Sequence, residues 1–177
     1  MLRISSLAKV AAATALSAVV GLSANAADRV SDFSLVDHNG KFFQLSRQAN
    51  FDAIVMLAHE DSRDVRRAAS ELADLTEQFA DQNVGFYLID SSGSGDQAEM
   101  REIAKDADID LPILIDEGQL VAAELGITRA TDVVILDPEA KEVVFRGALN
   151  DRWAEGSRAR RASEHYAADA LTAFLAG

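Results

Sequence analysis

Residues 53–80 read AIVMLAHEDSRDVRRAASELADLTEQFA: an apolar run, a polar junction, then a helical repeat. Ala53 to Ala58 is continuously apolar and includes β-branched residues, the pattern of a strand covered on both faces. From about Ser62 to Ala80 the residues Val65, Ala68, Ala69, Leu72, Leu75 and Phe79 recur every three or four positions, which is the stripe of an amphipathic helix. A buried strand leading directly into a helix belongs to a layered α/β domain.

Working outward, residues 33–45 carry two short alternating runs on either side of Asp37-His38-Asn39-Gly40, and the Asn-Gly pair predicts a hairpin turn. Val84 to Asp90 predicts a second buried strand, ending in the loop Ser91 to Gly95. Ala98, Met100, Ile103, Ala104 and Ala107 predict a helix, and residues 112–115 a short strand. Leu120 to Leu125 reads as a brief helix closed by Gly126. Residues 131–137 and 142–147 form two further strands joined through Pro138, and residues 163–175 a last helix. The alternation is that of an α/β fold with a central mixed sheet, extended by an antiparallel hairpin.

The N-terminus carries Arg3 and Lys9, an apolar run from Val10 to Leu22, and Ala24-Asn25-Ala26. This is the layout of a secretory signal peptide over residues 1–26, its apolar stretch shorter than the ~20 residues of a membrane span. The expected mature domain is residues 27–177, in the periplasm or otherwise exported, with no membrane span after processing. Processing would take away two basic residues and no acidic one, moving the formal charge from -12 to -14. Such a surface repels phosphate backbones, so nucleic acid is excluded as a partner, while a basic peptide, a cationic protein or a metal ion would be attracted. The chain has no cysteine, so an exported domain must here be held by packing alone.

Taken in order, the segments FSLVDHNGKFFQL (33–45), the strand and helix of 53–80, VGFYLID (84–90), LPILID (111–116), ELGITRATDVVILDP (124–138) and FRGALNDRW (145–153) resemble the redoxin branch of the thioredoxin-like superfamily, which includes peroxiredoxins and periplasmic thiol-disulfide proteins. The resemblance covers nearly all of the mature chain and implies a thioredoxin-like fold. It also implies a reactive cysteine in the loop after the first buried strand, and a cis-proline before the strand facing that loop. Ser62 stands at the cysteine position and Thr131 at the proline position. Thiol-disulfide exchange and peroxide reduction both need a thiolate, so neither is available. A non-proline cis bond costs ~3 kcal/mol, so the peptide before Thr131 is expected to be trans.

Three groups of residues could still act. Ser62 with His59 offers a nucleophile and a base; the plainer reading is a cap on the long helix, with Asp61 or Ser62 accepting from a backbone amide. His59, Glu60, Asp61 and Asp64 are candidate ligands for a divalent metal, or else a solvated helix start whose acidic residues favour the helix dipole. Arg158, Arg160 and Arg161, with Arg152 and an exposed Trp153, could form a docking patch, or a solvated linker with arginines paired to Glu155, Glu164 or Asp169. The sequence therefore leads to an exported, non-catalytic redoxin-like protein that binds a periplasmic client protein or peptide and needs no cofactor. Its binding edge would comprise His59, Glu60, Asp61, Ser62, Arg129 and Thr131. The alternatives are a metal or small-ligand binding protein built on His59, and a residual redoxin-type oxidoreductase role exercised through a partner.

Overall fold

The computed structural model describes residues 28–93 and 96–177; the expected signal peptide, and Ser94 and Gly95 of the loop after residue 90, lie outside them. Along the chain the elements are β1 (Asp28–Arg29), β2 (Ser34–Asp37), β3 (Phe42–Gln44), a 3-10 turn (Leu45–Gln48), β4 (Ala53–His59), α1 (Arg63–Gln78), β5 (Val84–Asp90), α2 (Gln97–Asp106), β6 (Ile113–Ile115), α3 (Leu120–Glu124), β7 (Asp132–Asp137), β8 (Glu142–Ala148) and α4 (Tyr166–Ala176). The strands form one mixed sheet in the order β1-β8-β7-β4-β5-β6-β2-β3. β4, β5 and β6 run parallel, while β7 and β2 flank them antiparallel. This is the α/β, thioredoxin-like architecture expected from the sequence.

β4 is the centre of the sheet, and all seven of its residues are buried. Its alternation splits the interior in two. Ala53, Val55 and Leu57 join Ala68, Leu72, Met100 and Leu171, from α1, α2 and α4, on one face. Ile54 and Met56 join Phe33, Phe43, Leu45, Val121 and Leu125, from the N-terminal segment and α3, on the other. Successive strand residues point to opposite faces, so one fully apolar strand serves both cores. Truncating a fully buried member such as Leu72 to alanine would cost about 2–5 kcal/mol.

Local chemistry sets the element ends. α1 begins one residue after Ser62, whose hydroxyl accepts from Val65 N at 3.3 Å, and Asp96 caps α2 by accepting from Ala98 N at 2.7 Å. In the hairpin turn Gly40 takes φ +83°, and the Asp37 carboxylate accepts from Asn39 N and Lys41 N. Gly126, with φ +65°, ends α3 where the Arg146 guanidinium crosses; a Cβ there would lie 2.8 Å from Arg146 Nε. Two details depart from the sequence reading. β1 pairs with β8 through Asp28 and Arg29, which show no strand pattern, and α4 starts at Tyr166 rather than Ser163. Among the described residues no helix is long and apolar enough to cross a membrane.

Candidate functional site

The C-terminal ends of the parallel strands frame a cleft of about 350 Å³. It is bounded by Ala58 and His59 at the end of β4 with Glu60 just after it, Ser91 and Ser92 after β5, Gln119, Ala122 and Ala123 around α3, and residues 127–130 before β7. Two non-glycine residues beside it take left-handed backbone angles, Gln119 at φ +57° and Thr131 at φ +76°. For a β-branched residue this is strained, and strain of ~1–3 kcal/mol persists only where the surroundings impose it.

Thr131 N donates to Ala58 O at 3.1 Å, which ties the loop to the end of β4. The buried Asp132 carboxylate holds the rest. Its Oδ2 accepts from Thr128 N, Thr128 Oγ1 and Arg129 N, and its Oδ1 from the Arg129 side chain, with Nη2 at 3.0 Å. The described residues contain no cis peptide bond, so the bond before Thr131 is trans, as expected. The Thr131 backbone bond holds the loop against β4, and the Asp132 carboxylate holds the loop's own turn.

His59 borders the cleft, but its side chain is not presented there. It is the last residue of β4, its side chain is fully buried, and Nδ1 lies 3.0 Å from Oδ2 of Asp90, the last residue of β5 and its partner in register. By strand alternation it shares the α1 face with Ala53, Val55 and Leu57, whereas Ala122 and Ile127 line the cleft with α3. The Asp90 carboxyl is pushed up by burial, but the hydrogen bonds from His59 and from Ser92 N and Oγ outweigh this and hold it below its ordinary value. His59 Nε2 is buried and has no hydrogen-bond partner.

The other expected residues are distributed as follows. Glu60 is exposed on the cleft rim. Asp61 is exposed and paired with Arg66 at 2.6 Å. Ser62 is the helix cap, with its hydroxyl on a backbone amide rather than on His59, so the serine-histidine pair is not assembled. Asp64 sits exposed in the first turn of α1. The set His59, Glu60, Asp61 and Asp64 is therefore not gathered, and among the described residues no three His, Cys, Asp or Glu side chains group to hold a metal ion. Of the binding edge, His59, Glu60 and Arg129 border one cleft, and Thr131 stands next to its 127–130 wall.

The basic patch divides. Arg158, Arg160 and Arg161 are exposed. Arg152 and Trp153 are struts instead: Glu71 of α1 accepts from Arg152 Nη1 at 2.6 Å, Trp153 Nε1 at 2.9 Å and Asn150 Nδ2 at 2.7 Å. Arg152 also stacks 4.5 Å from the Trp153 ring centroid. Trp153 is half-buried against the α1 core, which corrects its reading as an exposed anchor. Asp90, Gln119 and Glu71 escaped the sequence analysis. Asp90 carried a signal, being a charged residue that abuts an apolar strand run.

The mixed sheet and its flanking helices define a thioredoxin-like domain, here without a cysteine. The AhpC/TSA family model matches residues 26–145, more than half of the chain, and the protein belongs to that family. No curated protein matches the sequence. Among solved structures it is similar to peroxidoxin BcpB from Mycobacterium tuberculosis, at 21% identity and a TM-score of 0.62, covering 85% of this chain and 96% of that one. It is similar to a putative thiol:disulfide interchange protein DsbE from Chlorobium tepidum, at 10% identity and a TM-score of 0.60, covering 85% and 94%. A hypothetical protein from Sinorhizobium meliloti 1021 is 22% identical with a TM-score of 0.62, covering 74% and 75%. These likenesses establish the fold. With no cysteine in the chain, thiol chemistry of its own is excluded.

Proposed function

We propose that this protein is a non-catalytic, exported member of its family that binds an extended segment of a periplasmic client protein in the cleft between the end of β4 and residues 127–131. The observation that carries the reading is the strained Thr131 backbone, fixed by Ala58 O and by Asp132 at the rim of a cleft that holds no thiol. A loop held this rigidly presents backbone groups at little ordering cost on binding. Leu120, 76% exposed at the start of α3 between cleft residues Gln119 and Ala122, supplies an apolar contact, and Glu60 supplies charge suited to a basic client. No cofactor is required. The metal alternative has less support, because His59 is committed to Asp90 and Asp61 to Arg66.

The test compares binding to an immobilised library of extended peptides by the native chain and by a Glu60→Ala, Leu120→Asp double variant. Both positions are exposed, so the fold should survive. The expected result is loss of peptide binding in the double variant and little change on replacing Arg158, Arg160 and Arg161 with alanine. The reverse pattern would move the working surface to the C-terminal end. Titration with zinc(II), copper(II) and manganese(II) should leave the melting temperature unchanged.

A further inference from the structure

The hairpin turn is fastened to the sheet by an imidazole. β2 contributes two residue pairs to β6, Val36 with Ile115 and Asp37 with Leu114. Beyond them, His38 N donates to Ile113 O at 2.9 Å, and Ile113 N donates to His38 Nδ1 at 3.1 Å. The ring nitrogen thus takes the place of the backbone carbonyl that a further rung of the ladder would supply. His38 is 6% exposed, and its Nε2 lies 3.0 Å from Asn39 Nδ2.

An acceptor of this kind works only while Nδ1 keeps its lone pair. A proton placed there would face the Ile113 N–H, and a bonded pair would become two opposed donors. The groups around the ring do not compensate. Burial disfavours the cation most, Arg101 from α2 and His59 from β4 disfavour it further, and Asp37 of the hairpin and the Ile113 backbone of β6 oppose them in part, so the ring titrates below its ordinary 6.5. Elsewhere the hairpin is fixed independently of pH in this range, since Phe33, Phe43 and Leu45 are buried in the core on the opposite face.

We propose that His38 is an acid-released clasp: protonation of its ring frees the turn Asp37–Lys41 from β6 while the base of the hairpin stays docked. Gln97 Nε2 donates to Asp37 O at 3.2 Å, so release of the turn also removes a tie to the start of α2. The proposal stands apart from the client-binding reading and needs no ligand for its test.

The experiment is amide hydrogen exchange with NMR detection on the native protein, between about pH 7.5 and about pH 5.5. After correction for intrinsic exchange, the opening equilibrium at Ile113 N–H should rise as pH falls below 6.5, at most about tenfold per pH unit, the limit for one proton. Val30 N–H, bonded to Lys141 O at the opposite edge of the sheet, should not follow it. His38→Asn keeps an acceptor oxygen near the Nδ1 position but cannot be protonated, so its Ile113 profile should be flat. A flat profile in the native protein, or an undiminished pH dependence in His38→Asn, overturns the proposal. Should the variant not fold, the native protein decides alone. The His38 ring and the Ile113 amide must titrate together with a midpoint below 6.5, and separate titration or a midpoint at or above 6.5 overturns it.

Discussion

Replacing Glu71 with alanine removes the single carboxylate on which Asn150, Arg152 and Trp153 converge. Each of these bonds has a charged acceptor, and such bonds contribute about 1.5–3 kcal/mol when sheltered. Glu71 and Arg152 retain about a quarter of their side-chain exposure, 26% and 23%, so solvent recovers part of the loss. Since the three donors share one acceptor and their energies are not additive, the expected total is about 2–4 kcal/mol. For a domain of this size that lowers the melting temperature by roughly 5–15 °C. Trp153 is the one tryptophan of the chain, so its fluorescence reports directly on the clamp. Urea unfolding followed by emission should show a lower midpoint and a red-shifted folded baseline. Glu71→Gln keeps an acceptor and should lose less. A Glu71→Ala protein within about 0.5 kcal/mol of the native one, with unchanged emission, would refute the view that this carboxylate holds residues 149–153 to α1.

Thr131→Gly should relieve left-handed strain and, after the loss of its buried methyl group, change stability by no more than about 1 kcal/mol in the stabilising direction; destabilisation by more than that in urea melts would mean that the side chain matters more than the backbone angle. Acid should destabilise the protein in two windows. The unfolded chain takes up a proton at His38 as pH falls below 6.5 and at Asp90 as it falls below 3.8, while the folded chain resists both, so urea midpoints should decline with pH and never rise across these ranges. The purified protein should neither reduce insulin disulfides nor consume hydroperoxide with a dithiol supply. Ser62→Cys should restore little of either activity, because Thr131 occupies the proline position; turnover in the native chain would refute the exclusion of thiol chemistry.

Much of the architecture was legible because burial on both faces leaves an unmistakable apolar run, as in β4, β5 and β7. β1 left no such mark, because its two exposed residues join the sheet through backbone bonds to β8, and backbone pairing has no side-chain signature. His59 was misplaced for a related reason. The apolar run stops at Ala58, but the strand continues for one residue, and that residue is stabilised by Asp90 across the parallel pair, 31 positions away. No local spacing encodes such a contact. The cap role of Ser62 was readable because capping is local chemistry. The clamp on Trp153 was not, since its acceptor lies 82 residues upstream on α1.

The central strand, with neighbouring residues assigned to opposite cores, acts as a partition wall. The clamp at Glu71 and the α1 packing lie on one side, and the cleft beside α3 on the other. A substitution that reshapes the cleft at Ile127 meets the core that Ile54 and Met56 share with Val121, Leu125 and Val134, and the sheet separates it from the compartment beneath α1. Residues lining the cleft can therefore be exchanged while the opposite core goes on supplying stability to the whole domain.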